Sequence, residues 1–182
     1  MAAYLDIEVS LDEVSPPVWR RFLLHDGASL LELHRAIQDA CGWHGTHLFA
    51  FSTPDGQVVA GVADENGFEL SAPDAADVPA RSHLEAHGAV VYEYDFGDSW
   101  VHWVELKRIV SLEEKFSRRI IGGARAFPPE DCGGVPGYED LIAVVSGGQA
   151  TYHDSEDLLE WCQGWDPEAF DLAALHRTFD RS

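Results

Sequence analysis

The sequence predicts an α+β domain: a mostly antiparallel or mixed β-sheet with a strand-strand-helix opening and C-terminal helices packed on it. Three observations predict this. Apolar residues recur with a period of two from the N-terminus, helical periodicity and capping signals gather towards the C-terminus, and most strand-like runs follow one another through turns with no helix between them. The last point argues against an alternating doubly wound sheet, and the strand-strand-helix start is β-grasp-like by analogy.

Leu5, Ile7, Val9 and Leu11 alternate with Asp6, Glu8, Ser10 and Asp12, as expected of a strand with one buried and one wet face. Pro16-Pro17 interrupts the pattern, and the β-branched and aromatic run 18–24 resumes it, so the two segments form a hairpin. Ser29-x-x-Glu32 has the form of a capping box ahead of Leu30, Leu33, Ile37 and Cys41, which share a helical face, and Gly42 ends that helix. Residues 48–52 and 57–62 flank Thr53-Pro54-Asp55-Gly56, in which proline presets φ and glycine admits a positive one, giving a second hairpin. From 63 to 88 the composition turns to Asp, Ala, Pro and Gly without clean periodicity, apart from a short helix at 78–87.

Residues 89–94 and 100–110 read as two strands of a central hairpin, joined through Asp95-Phe96-Gly97-Asp98-Ser99. The Gly- and Pro-rich stretch 120–134 leads into a short helix carrying Tyr138, Leu141, Ile142 and Val145, closed by Gly147-Gly148. A further helix carries Leu158, Leu159 and Cys162 after Asp154. The last begins at Asp166-Pro167, with Asp as N-cap and Pro at the first helical position, and presents Leu172, Leu175 and Phe179.

The 182 residues are 46% hydrophobic and 24% charged, the usage of a single ordinary globular domain spanning 1–182. With 32 Asp and Glu against 12 Lys and Arg, the formal charge of -20 opposes the phosphate backbone and disfavours nucleic acid as a partner. An anionic membrane surface is disfavoured for the same reason, and no apolar run approaches the roughly 18 to 20 residues of a spanning helix. Residues 1–10 lack the basic start and apolar stretch of a signal peptide, so cytoplasmic residence is expected. Cys41, Cys132 and Cys162 are too few and too scattered for a disulfide framework. Six of the 12 Lys and Arg (Lys107, Arg108, Lys115, Arg118, Arg119 and Arg125) fall within 107–125. That run reads either as an anion-recognition loop or as wet strand ends whose cations pair with the chain's own carboxylates.

Three segments concentrate groups able to bind a metal or move protons: 41–48, 94–102 and 128–134. Together they hold His47, Asp95, Asp98, His102, Glu130, Asp131 and Cys132. Imidazole and carboxylate are the ligand set of a divalent metal such as Zn or Mn, and His47, Asp95, Asp98, His102 and Asp131 are the candidate ligands. Each has a plainer explanation. Asp95-Phe96-Gly97-Asp98 suits a hairpin turn, His102 lies in register with Trp100 and Val104 as a half-buried strand histidine would, and His34 shares an apolar helix face. Gly45 argues against a helical pairing of His44 with His47. Cys132 could act as a nucleophile given a histidine within hydrogen-bond reach, with Gly133 and Gly134 offering backbone N–H groups; a cysteine in a Gly/Pro loop is more commonly just packed.

Longer motifs run through the chain in order: Pro16-Pro17-Val18-Trp19-Arg20-Arg21, Leu33-His34-x-x-Ile37-Gln38, Gly42-Trp43 with His47-Leu48, Tyr92-Glu93-Tyr94-Asp95-Phe96-Gly97-Asp98-Ser99-Trp100-x-His102, Pro128-Pro129-Glu130-Asp131-Cys132-Gly133-Gly134 to Gly137-Tyr138, and Trp165-Asp166-Pro167-Glu168-x-Phe170-Asp171. In these the chain resembles the plasmid pRiA ORF-3-like family over nearly its whole length. The resemblance implies little about activity. Some relatives carry a label as transposon-associated resolvases of the TnpR type, yet Ser10 and Ser15 have acidic neighbours and no basic helix-turn-helix closes this chain. Relatives commonly place a cysteine where this chain has Phe127, so a Cys-x4-Cys pair with Cys132 is absent here.

These observations leave three readings. The first is a binding or interaction module for a protein or small-molecule ligand, with a pocket lined by Trp19, Trp43, Tyr94 and Trp100. The second is a metal-dependent or acid-base hydrolase using His102, Asp98 and Glu130, with His47 and Asp95 beside them; it requires the three segments to converge. The third is a plasmid- or transposon-associated accessory protein, which requires 107–125 to form one exposed basic patch.

Overall fold

Alternating apolar and polar side chains build the centre of a seven-stranded sheet in the computed structural model, which describes residues 1–61, 72–162 and 164–181. Strand β1 (Ala2–Leu11) pairs antiparallel with β2 (Trp19–His25), Tyr4 opposite His25 and Ser10 opposite Trp19. Helix α1 (Leu30–Cys41) starts at the capping box. Glu32 N–H donates to Ser29 Oγ at 3.2 Å, and Ser29 N–H donates to Glu32 Oε2 at 2.9 Å. Gly42 closes the helix at φ 81°, where a side chain would be strained.

The chain continues through β3 (Phe49–Ser52), β4 (Val58–Gly61), α2 (Ala80–His87), β5 (Ala89–Tyr94), β6 (Trp100–Leu112), β7 (Arg118–Ala124), α3 (Gly134–Val145), α4 (Ser155–Trp161) and α5 (Leu172–Phe179). The order across the sheet is β4-β3-β5-β6-β1-β2-β7, and every pairing between these strands is antiparallel. The mixed-sheet alternative therefore falls away. The β-grasp analogy gains no support from a sheet in which β1 lies between β2 and β6, antiparallel to both. The reading of 63–71 as irregular, and of Val62 as the end of a strand, lies outside the described residues.

Two element predictions need correction. The stretch 120–134, to which the sequence assigns no strand, begins inside one: 118–124 is an edge strand on β2. Its arginines and glycines hide the strand signal, because packing sets their roles: a Cβ at Gly123 would sit 2.5 Å from Phe170 Cε2 and 2.9 Å from Arg20 Cδ. The last helix begins at Leu172 rather than at Asp166-Pro167. Its cap is Asp171, whose carboxylate accepts from Ala174 N–H at 2.9 Å, while Asp166 turns the chain by accepting from Glu168 N–H at 2.9 Å. Both aspartates offer equal local chemistry. Tertiary contacts decide between them: Trp165 Nε1 donates to Phe127 O at 3.2 Å, and Phe170 lies 5.0 Å from the Arg20 guanidinium, so 165–170 is held out of the helix.

Leu5, Ile7, Val9 and Leu11 face the helices and are buried with Phe22, Tyr92, Trp100, Val104, Leu33 and Ile37. Each such side chain contributes about 1.5–3 kcal/mol of transfer free energy. On the other face Asp6 is fully buried, yet Arg21 grips it at 2.8 and 2.9 Å and Arg108 at 2.9 Å. Burial alone would raise its pKa; the two guanidiniums outweigh that and hold the carboxyl below its usual range.

Five of the six cations in the basic run 107–125, all but Lys115, pair with the chain's own carboxylates. Lys107 pairs with Glu8 and Glu105, Arg108 with Asp6, Arg118 with Asp39, Arg119 with Glu114 and Arg125 with Glu168. Among the described residues no helix is long and apolar enough to cross a membrane.

Candidate functional site

The three chemistry-bearing segments meet at one end of the sheet, where β5 stops at Tyr94 and β6 starts at Trp100. Trp43, just past α1, donates its indole N–H to Pro128 O at 2.8 Å and stacks on Tyr94 with ring centroids 5.3 Å apart. Tyr94 then joins two loops through its hydroxyl. It donates to Glu130 Oε1 at 2.5 Å and accepts from Thr46 N–H at 3.0 Å. The other oxygen of Glu130 accepts from the His44 backbone N–H at 2.9 Å and from His44 Nδ1 at 2.6 Å. Burial alone would raise the Glu130 pKa, but the bonds from Tyr94 and His44 hold it below the ordinary glutamate value. Burial and the adjacent carboxylate push the Tyr94 phenol up to about 12, so it stays a donor.

Beside this clamp, His47 Nε2 lies 2.8 Å from Asp131 Oδ1 and 3.8 Å from Asp95 Oδ2. One donor atom from each of His47, Asp95 and Asp131 falls within 4.8 Å of the others, the span of a shared cation. Asp95 and Asp131 both have left-handed backbones, at φ 55° and 62°, a conformation that aspartate tolerates better than most residues.

The remaining predicted ligands do not join this group. Asp98 Oδ2 accepts from Gly133 N–H at 3.0 Å, so it fastens one loop to another. Those loops approach so closely that a Cβ at Gly134 would lie 2.5 Å from Asp98 O; within the second segment itself, one at Gly137 would lie only 1.7 Å from Cys132 O. His102 is fully buried between Trp43 and Phe127, with ring centroids at 5.5 and 6.1 Å. Its Nδ1 donates to Trp100 O at 3.0 Å and Tyr92 O at 3.3 Å, while Nε2 has no partner among the described residues. Burial pulls its pKa down to about 4, so it is neutral at physiological pH. His102, Asp98 and Glu130 thus serve three separate local bonds, and the catalytic grouping proposed for them is not assembled. Cys132 has no histidine within hydrogen-bonding reach among the described residues, and burial raises its thiol to about 12, which leaves it a poor nucleophile.

The four aromatic residues expected to line a pocket separate as well. Tyr94, Trp100 and Trp43 are buried against one another, and Trp43 also lines an open cavity. Trp19 lies apart on β2, its ring against Gly122 of β7. A groove of about 750 Å³ lies over α1. Leu31, His34, Arg35 and Gln38 form its floor. On one flank His34 stacks on Phe49 at 3.7 Å, next to Trp43, His44 and His47; on the other, Asp39 pairs with Arg118 and Arg181. Sequence reading assigned His34 to the core, which is where it lies, but missed that its neighbours Arg35 and Gln38 floor a groove. The helical spacing 31, 34, 35, 38 was the available signal. Only the tertiary flanks make that face concave.

A family model for plasmid pRiA4b ORF-3-like protein matches residues 3–174. The chain belongs to this family. Within it, the chain is 30% identical over 184 aligned positions to the uncharacterized protein y4hQ of Sinorhizobium fredii (strain NBRC 101917 / NGR234), covering 99% of this chain and 92% of that protein. It also resembles the crystal structure of MM3350, a protein of unknown function from Methanosarcina mazei Go1, with a TM-score of 0.80 at 30% identity, over 95% of this chain and 96% of that one. In this pRiA4b ORF-3-like chain, three of the motif segments that carry the family resemblance build the Trp43, Tyr94 and Glu130 clamp.

Proposed function

We propose that this protein is a ligand-binding module whose small-molecule ligand lies in the groove over α1. The observation that carries the reading is the groove itself. Its volume of about 750 Å³ falls in the range of small-molecule sites, and apolar Leu31, Leu48, Phe49 and Trp43 share its lining with a majority of polar side chains able to orient a ligand. The clamp of Trp43, Tyr94 and Glu130 holds one flank rigid, which lowers the ordering cost of binding. A fragment library screened by ¹⁵N–¹H NMR tests this. Saturable shifts should gather at Arg35, Trp43, Gly45 and Phe49; hits that map elsewhere, for example to Trp103 on the far face of the sheet, would refute it.

A second reading rests on the convergence of His47, Asp95 and Asp131: a divalent cation held at the rim, with His47 shared between cation and groove. One imidazole and two carboxylates leave coordination positions for water or ligand, the arrangement of metal-assisted hydrolysis. Elemental analysis of tag-free protein purified without chelator should find about one Zn or Mn per chain, lost in an Asp95→Asn, Asp131→Asn variant that still melts cooperatively. Metal absent from the native chain, or retained by the variant, removes this reading.

A further inference from the structure

We infer that the groove over α1 takes a small organic anion that also carries a hydrogen-bond donor, with Arg35 holding the carboxylate or phosphate and His34 and Gln38 reading the group beside it. The inference rests on the groove being a ligand site and names the chemistry of its ligand.

Which polar groups in the groove remain uncommitted decides the matter. Its two carboxylates are both engaged. Glu32 accepts from the Ser29 backbone N–H and lies 3.1 Å from His25 Nε2, and Asp39 pairs with Arg118 and Arg181. Arg35, one helical turn from each of them, makes no hydrogen bond or ion pair among the described residues. In a chain of formal charge -20, a groove that sets three cations, Arg35, Arg118 and Arg181, against two carboxylates, Glu32 and Asp39, is a local inversion of sign. A planar guanidinium with no partner suits bidentate capture of a carboxylate or phosphate.

Next to Arg35, a buried network sets the direction of two more groups. Gln38 Nε2 donates to Tyr92 OH at 2.9 Å, so the phenol gives its own proton to His34 Nδ1, 2.7 Å away. The neutral imidazole then carries its hydrogen on Nε2. Gly45 lies directly against this pair: a Cβ there would sit 3.6 Å from His34 Nε2 and 3.8 Å from Gln38 Oε1. Gln38 is 4% exposed, and its Oε1 has no partner. A donor and an unmet acceptor therefore lie side by side beneath a residue without a side chain, next to a free cation. A ligand whose anionic group meets Arg35 and accepts from His34 Nε2–H, while an adjacent O–H or N–H reaches the buried Gln38 Oε1 on a small shift of Gly45, would satisfy all three.

The test uses the full chain at low salt, titrated by ¹⁵N–¹H NMR with citrate, inorganic phosphate, neutral succinamide and cationic putrescine. Citrate or phosphate should shift the Gly45, Leu48 and Phe49 amides saturably, and the stronger of the two tells a carboxylate ligand from a phosphate one. Arg35→Gln should weaken that binding by about tenfold or more with an unchanged melting temperature, since its side chain is exposed and unpaired. Succinamide or putrescine shifting these amides while neither anion does would overturn the anion assignment and leave the groove reading standing. So would anion binding that Arg35→Gln leaves intact. No shift from any of the four, together with a fragment screen blank at the groove, would remove both.

Discussion

Replacing His102 with phenylalanine should flatten the acid limb of this protein's stability. The imidazole is fully buried among Trp43, Tyr92 and Phe127, donates through Nδ1 to two strand carbonyls, and is held near a pKa of about 4 against an ordinary 6.5. The group is depressed in the folded state, so between these two values the unfolded chain binds the proton that the folded chain refuses. Its destabilising effect is absent above about pH 6.5, grows as pH falls, and levels off below about pH 4 at about 3 kcal/mol. At pH 5 the expected loss is about 2 kcal/mol relative to pH 7.5. Urea unfolding followed by tryptophan fluorescence at the two pH values measures it for wild type and His102→Phe. The informative quantity is the difference in pH dependence, because the substitution also changes packing at both pH values. Wild type should lose about 2 kcal/mol more than the variant on going to pH 5. Equal losses would show that His102 either protonates within the fold or meets water there. His34, also drawn down to about 4 by burial and by Arg35, should add a comparable slope that His34→Gln removes.

Gly137→Ala should destabilise by more than about 3 kcal/mol, since its Cβ would overlap Cys132 O at 1.7 Å with backbone on both sides; a melting temperature within a few degrees of wild type would contradict that packing. Cys132 should stay silent towards a disulfide reagent until the chain unfolds, because burial both shields it and raises its thiol to about 12. Counting reactive thiols in native buffer and in guanidinium settles this. Asp6→Asn should cost on the order of 2 kcal/mol by leaving Arg21 and Arg108 facing a neutral buried amide, a figure discounted because Arg108 is largely exposed; urea midpoints at neutral pH provide the check.

Much of the secondary structure was legible because its signals are local. The alternation around Leu5 to Leu11, the capping box at Ser29 and Glu32, and the turn at Thr53 to Gly56 depend on neighbours within a few positions. The edge strand 118–124 was not legible, because arginines and glycines there answer to Asp39, Glu114, Phe170 and Arg20, residues distant in sequence. The choice of Asp171 over Asp166 as the last cap was hidden for the same reason. At the site, residue types pointed to the right loops while the roles changed. His47, Asp95 and Asp131 come together, whereas His102 turned inward and Asp98 became a backbone clasp.

By itself, the sequence determined the α+β class, the family, the excess of negative charge and which three segments carry the polar chemistry, since composition, periodicity and motif order are properties of the chain read in line. Tertiary structure alone decided which of those polar groups are free. A carboxylate or imidazole becomes a ligand, a fastener or a neutral core group according to what lies within about 3 Å of it. For Glu130, Asp98, His102 and Arg35, those neighbours, or their absence, arise from loops that only the folded sheet brings to one end.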